Sequence, residues 1–310
     1  MKQSTSNLIL IRPFKFFSNP ETSINNYFQD KSNKKKETII SKQALFEFDN
    51  FIKVLNKNDL NIYLFNDTEN PITPDSLFPN NWFSTYYSGD IHLHSMFAKN
   101  RRLEKRLDVI DLLKENFIVK NIFDKTKILE GKNQFLEGTG SLVLDRVNRI
   151  AYAALSERTN KFLLLEFCKQ INFRPVYFTA YQNFENKKII YHTNVMMSVA
   201  NKYVIICLDS IVNKKERNDI ISCIEKSEKK IIPISLDQVN NFCGNVIELN
   251  NNNNHNLLVM STKAFNSFSN SQIKTIENFS KIVHSPLDTI EKYGGGGARC
   301  MIAEIFLNKK

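Results

Sequence analysis

The sequence predicts an α/β fold, a pseudo-fivefold β/α propeller built from strand–strand–helix–strand modules. Three observations lead there. The same order of strand, strand, helix and strand recurs five times along the 310 residues. A polar residue marks the entrance to each unit, at Asn80, Glu137, His192, Asn245 and Cys300, in steps of 57, 55, 53 and 55 residues. The remaining unit is complete only when the two chain ends are joined, which favours a closed ring over an open array.

In chain order, "NLILIRP" reads as a strand, "IISKQALFEFDNFIKVL" as a helix and "NIYLF" as a strand, with "ARCMIAEIF" returning from the far end to complete that sheet. "FPNNWFST" and "DIHLHSM" follow as strands, then helix "KNRRLEKRLDVIDLLKE" and strand "NFIVKNI". That helix rests on Leu103, Leu107, Ile110 and Leu113, spaced to share one face. "GTGSLVL" and "RIAYAAL" form a hairpin about "DRVN", followed by helix "TNKFLLLEFCKQI" and strand "RPVYF". "HTNVMMSV" and "KYVIICL" precede helix "KKERNDIISCIEK" and strand "KKIIPIS". Finally "GNVIEL" and "NLLVMS" flank an asparagine run, read as a polar turn tip, before helix "SNSQIKTIENF" and strand "KIVHS". The whole chain, 1–310, is read as one domain sharing one core.

Composition narrows the function. No apolar stretch approaches the roughly 18 residues of a membrane span, and "NLILI" is too short for a signal segment. Five widely spaced cysteines without a C-x-x-C pair suggest reduced thiols and a cytoplasmic protein. The net charge of +10 is mostly lysine interleaved with acids, as in "KSNKKKE", "VNKKERND" and "EKSEKK". That pattern is a solvated surface, with no nucleic-acid motif and no partner of that class. His92 and His94 fall on one face of a strand but lack a third ligand at sensible spacing, so no metal is expected.

A ring changes what distant residues can do. Its entrances converge near the axis and bring the thiol of Cys300, the imidazole of His192 and the carboxylate of Glu137 around one point. Nucleophilic catalysis needs that grouping. The run of four glycines in "YGGGGARCM" leaves the approach to Cys300 free of side chains. A protein that only bound its ligand, or a partner protein, would have no need of a nucleophile.

The motifs "GGGGARC", "HTN", "EGTGS", "PDSLFPNNW", "NRRLE" and "SERTN", in that chain context and with "NPETSINNYFQ" near the N-terminus, together resemble the guanidino-group-modifying superfamily. Its members include arginine deiminases, dimethylarginine hydrolases and amidinotransferases, and its fold is the pentein propeller. The likeness is greatest to the bacterial citrulline-utilisation hydrolase branch. The resemblance implies Cys300 as nucleophile, His192 as acid and base, and Glu137 as the carboxylate that orients the substrate's N–H groups. It further implies Arg158 and Arg101 as holders of the substrate α-carboxylate, with Asp75 and Asn80 also at the substrate. Where deiminases and dimethylarginine hydrolases place acids against a guanidinium, this chain has Asn81, and where deiminases add another it has Asn194. Two amides suit a neutral ureido group better than a cation, because unpaired buried carboxylates are costly. The expectation is therefore a citrulline hydrolase giving ornithine, carbon dioxide and ammonia. Its alternative is an arginine deiminase or amidinotransferase. The partner is a small molecule, no cofactor is implied, and a homo-oligomer is left open.

Overall fold

The computed structural model describes residues 1–31, 36–183, 185 and 187–310; part of the lysine-rich "KSNKKKE" lies outside them. Among the described residues the chain forms five three-stranded sheets and one small two-stranded hairpin. In each three-stranded sheet the middle strand pairs antiparallel with one neighbour and parallel with the other. Tyr203–Ile206, for example, runs antiparallel to Met197–Val199 and parallel to Lys230–Pro233. A parallel partner requires a crossover, and the helix Lys214–Lys226 provides it.

Both chain ends enter one sheet. Asn7–Arg12 runs parallel to Asn61–Asn66 and antiparallel to Ala303–Glu304, with Ile9 opposite Ala303. The crossover helix of this split module, Glu37–Lys57, buries Ile40, Ala44, Phe48, Phe51 and Leu55. Their spacing of four, four, three and four keeps one stripe against the sheet, and burial of each large side chain among them contributes about 1.5–3 kcal/mol. Middle strands such as Ile150–Ala154 are buried along their whole length, which requires cover on both faces.

Local signals set the helix ends. The Asn160 side chain caps Lys161–Ile171 by accepting from the Leu163 N–H, and Ser269 with Gln272 forms a capping box on Asn270–Glu277.

Several sequence expectations change. The region expected to be one helix from "KNRRLEKRLDVIDLLKE" divides into a 3₁₀ turn, Asn100–Glu104, and an α-helix, Leu107–Asn116. Leu103 and Leu107 face solvent, at 55% and 82% exposure, while Arg101 and Glu104 turn inward. The buried Arg101–Glu104 pair replaces the leucine stripe as the anchor of this segment. The third strand of that module is Asn121–Asp124, later than "NFIVKNI" suggests. The entrances are also not strands. Pro79–Asn81, Gly138–Ser141 and Thr193–Val195 are tight helical turns, each followed by a three-residue strand. The asparagine run is more than a turn tip. Asn251 and Asn253 donate to Asn58 O and Asp59 Oδ2, and Asn252 exchanges hydrogen bonds with Asn61, docking this tip on the split module.

His92 stacks on Phe123 at 4.7 Å, and His94 shares a 2.8 Å hydrogen bond with Ser84 Oγ. Among the described residues no group of three His, Cys, Asp or Glu side chains is placed to hold a metal. No helix among them is long and apolar enough to cross a membrane. Burial lowers the pKa of His92 to about 4 and of His94 to about 3. Both are neutral in the native state, whereas an unfolded histidine takes up its proton near pH 6.5. Native stability is therefore lost as pH falls from about 6.5 toward those values, by about 1.4 kcal/mol per pH unit for each histidine. Urea denaturation of His94→Gln should show a pH slope shallower than the parent's by about that amount between pH 6 and 4. An unchanged slope would mean that His94 titrates normally.

Candidate active site

Turns carry the reactive groups to one place. Glu137 precedes the Gly138–Ser141 turn, His192 precedes Thr193–Val195, and Cys300 follows the glycine run. His192 Nε2 lies 2.7 Å from Glu137 Oε2, and both side chains are almost wholly buried. The Phe97 N–H donates to the other Glu137 oxygen at 2.8 Å, and Arg158 Nη1 stands 3.7 Å from Oε2. Both carboxylate oxygens are thus engaged with the protein.

Burial alone would raise the Glu137 carboxyl. The Arg158 charge, the His192 hydrogen bond and the more distant Arg101 outweigh it and hold the pKa at about 2. Burial lowers His192 to about 4, with Glu137 pulling the other way. The resting pair is a carboxylate beside a neutral imidazole. Burial also pushes the Cys300 thiol up, while Asn245, Arg299 and Asn194 pull it back. Cys168, Cys207, Cys223 and Cys243 are likewise buried and unbridged.

A cavity of about 10 Å³, room for one water, is lined by Asp75, Asn81, Arg101, Arg158, His192 and Cys300 among others. Six of the nine residues singled out in sequence thus share this cavity. Glu137 touches it through His192. Asn80 instead donates to Thr139 Oγ1 at 3.2 Å, and Asn194 stands behind the thiol, with Nδ2 3.5 Å from Cys300 Sγ.

Both arginines line the cavity and are engaged with protein groups. Arg101 grips Glu104 through Nε and Nη2, both at 2.9 Å, and donates from Nη1 to Asn81 Oδ1 at 2.8 Å. Nη2 also donates to Phe78 O. Four of its N–H groups are therefore committed to protein. Arg158 donates to Asn25 Oδ1 and Thr22 O, and its guanidinium lies 4.6 Å from the Tyr191 ring centre.

Those partners reveal residues that sequence reasoning passed over. The segment around "NPETSINNYFQ" covers the cavity: Asn19 and Thr22 donate to Asp75 Oδ2, and Asn26 donates to Gly294 O. Tyr191 Oη donates to Gly295 O, and Asn245 Nδ2 donates to Cys300 Sγ at 3.1 Å. Asn245 carried a signal, its place in the period; Thr22 and Asn26 carried only their membership of a quoted motif. The glycine run receives this cover at close range. Gly295 has φ +63°, and a Cβ there would meet the Asn26 side chain at 2.5 Å. The space left among these side chains is about that of one water.

A buried thiol, imidazole and carboxylate on a repeated β/α scaffold define the class, the guanidino-group-modifying penteins. A family model described as N,N dimethylarginine dimethylhydrolase, eukaryotic, matches residues 12–307, and the chain belongs to that family. Solved structures share the fold. ArgZ, an arginine dihydrolase from the ornithine–ammonia cycle in cyanobacteria, superposes with a TM-score of 0.72 at 16% identity, covering 97% of this chain and 40% of that one. This chain thus spans about two-fifths of full-length ArgZ. The N-terminal domain of ArgZ, as a cysteine-to-serine mutant bound to substrate, gives 0.69 at 16% identity over 97% and 99% of the two chains. A dimethylarginine dimethylaminohydrolase, as an adduct with S-methyl-L-thiocitrulline, gives 0.63 at 13% identity over 97% and 99%. No curated protein matches in sequence.

Proposed function

We propose that this chain is a cytoplasmic, single-domain hydrolase of arginine-like amino acids, its modules closed into a ring, and that its preferred substrate is citrulline. The observation that carries the preference is the orientation of Asn81. Arg101 donates to Asn81 Oδ1, so the buried and otherwise unpartnered Nδ2 is the group left for a ligand. That nitrogen only donates. A guanidinium also only donates, whereas a ureido group offers a carbonyl oxygen. Leaving a buried donor unpaired costs about 1–3 kcal/mol, a factor of roughly 5 to 150 in favour of citrulline.

In the proposed reaction the Cys300 proton passes to His192, and the thiolate attacks the ureido carbon. His192 then returns the proton to the departing nitrogen. Water, deprotonated by His192, attacks the S-carbamoyl intermediate and releases Cys300. The resulting carbamate loses carbon dioxide, so the products are ornithine, ammonia and carbon dioxide. Glu137 keeps the imidazole oriented through these transfers and stabilises its protonated form. Asp75 Oδ1, buried and unpartnered, suits a ligand N–H, and Arg158 Nη1 suits a carboxylate. Arg101 serves by holding Asn81. Asn80 supports the turn, its Oδ1 still unpartnered. No step calls for a cofactor.

Likeness to arginine dihydrolases favours a second reading, in which arginine itself is taken to ornithine. Incubation with citrulline and with arginine, assaying ornithine, citrulline and ammonia, separates the two. Ornithine from citrulline, with arginine poor, supports the proposal. Ornithine and two ammonia from arginine support the second reading. Citrulline accumulating from arginine means a deiminase, and amidino transfer to an added amine means a transferase. On a Cys300→Ser background, Asn81→Asp should move the arginine-to-citrulline affinity ratio toward arginine by about tenfold or more, since a carboxylate replaces the donor. An unmoved ratio would remove Asn81 as the reader of the substrate.

A further inference from the structure

We propose that Asn245 is a further catalytic residue, the principal hydrogen-bond donor to the Cys300 thiolate as it forms. The inference rests on Cys300 being the nucleophile and goes beyond the roles assigned above. Asn245 Nδ2 stands 3.1 Å from Cys300 Sγ, and Asn194 Nδ2 is the more distant second donor at 3.5 Å. The His192 Nε2 is engaged by Glu137. The other titratable or charged groups around the cluster are Asp75, Arg101 and Arg158, which line the same cavity and whose partners are described above, with Tyr191, Arg299 and the buried Glu291. Tyr191 donates to Gly295 O and Arg299 pairs with Glu304, so neither directs its bond to the sulfur. Glu291 lies behind Gly297, where a Cβ would meet its Oε1 at 3.0 Å.

The amide of Asn245 is held in one orientation. Its Oδ1 accepts the Gly297 N–H at 3.0 Å, and its Nδ2 also donates to Asn194 O at 3.0 Å. Turning the amide over would lose both bonds, so one N–H is aimed at the sulfur. A neutral thiol is a weak acceptor and a thiolate a strong one. The bond therefore strengthens as negative charge develops on sulfur, which lowers the barrier as well as binding the ground state. The backbone makes the approach possible at Gly244. A Cβ there would lie 2.4 Å from Val195 O and 2.7 Å from Met196 Cα, pushing Asn245 away from the Asn194 turn.

The test is the pH dependence of Cys300 alkylation by iodoacetamide, followed by peptide mapping, in the parent, Asn245→Asp, Asn245→Ala and Asn194→Ala. Aspartate keeps an acceptor for the Gly297 N–H but replaces the donor by a negative oxygen. The expected result is a midpoint raised by about one pH unit or more in Asn245→Asp, hence labelling about tenfold slower at pH 7.5. Asn245→Ala should move the midpoint in the same direction by less, and Asn194→Ala by less again. Circular dichroism verifies the fold of each variant. Should aspartate prevent folding, Asn245→Ala and Asn245→Ser decide the matter, since the serine hydroxyl should return the midpoint part of the way. A parental midpoint in the folded Asn245 variants overturns the proposal. Alkylation needs no substrate, so a wrong substrate reading leaves this result intact, and a wrong nucleophile reading appears separately as turnover without Cys300.

Discussion

Cys300→Ala is expected to lower turnover by on the order of 10⁴-fold or more, the scale on which deleting a nucleophile acts, while the protein still folds and binds. The side chain is 4% exposed and packs in the cluster that includes Phe78, Ile290 and Met301. Alanine removes one sulfur atom there and opens a small void, a change of about 1 kcal/mol that a domain of this size survives. The two amides that now face sulfur, Asn194 and Asn245, lose a weak bond to a neutral thiol. Thermal melting and ligand affinity should therefore stay near the parental values while kcat collapses. Turnover within tenfold of the parent would exclude a covalent Cys300 mechanism. Loss of both folding and turnover would instead make Cys300 a structural residue.

Gly138→Ala is the second large effect, and it acts on both stability and catalysis. Gly138 has φ +45°, a region that costs a residue with a side chain about 1–2 kcal/mol. A Cβ at this position would also lie 2.3 Å from Asn80 O and 2.9 Å from Asn81 O. Both are backbone atoms of the neighbouring turn, so no side chain can swing aside. The expected loss is about 3 kcal/mol or more, a fall in melting temperature of roughly 6–12 °C or beyond. Displacing that turn moves Asn81, and displacing Gly138 moves Glu137, so kcat should fall beyond what the lost stability explains. Gly131→Ala is the internal control. Nothing lies within 4 Å of its Cβ position, and it ends a helix, so the change should be neutral or slightly stabilising. Equal melting temperatures for the two variants would show that the Gly138 turn yields freely.

The contrast between the two glycines indicates how much was readable. In sequence both are single glycines near polar residues. The left-handed backbone of Gly138 and its contact with Asn80 and Asn81, nearly sixty residues away, separate them. The leucines of "NRRLEKRLDVIDLLKE" teach the same lesson. Their helical spacing is real, but Arg101 and Glu104 turn inward instead, where Arg101 also meets Phe78 O and Asn81 Oδ1 from an earlier part of the chain.

The repeat, the order of strands and helices, and the candidate thiol, imidazole and carboxylate were determined by sequence alone, because each depends on short-range periodicity, caps and residue chemistry. The helix Lys214–Lys226 coincides with its sequence segment, and both termini reach one sheet as the repeat requires. Tertiary structure alone decided which way each polar atom points. Arg101 donates to Asn81, Glu137 has His192 as its partner, and residues near Thr22 cover the cavity. Those outcomes depend on the pairing of buried donors and acceptors across modules. A hydrogen bond is directional and local in space, and its two partners here lie tens of residues apart in the chain.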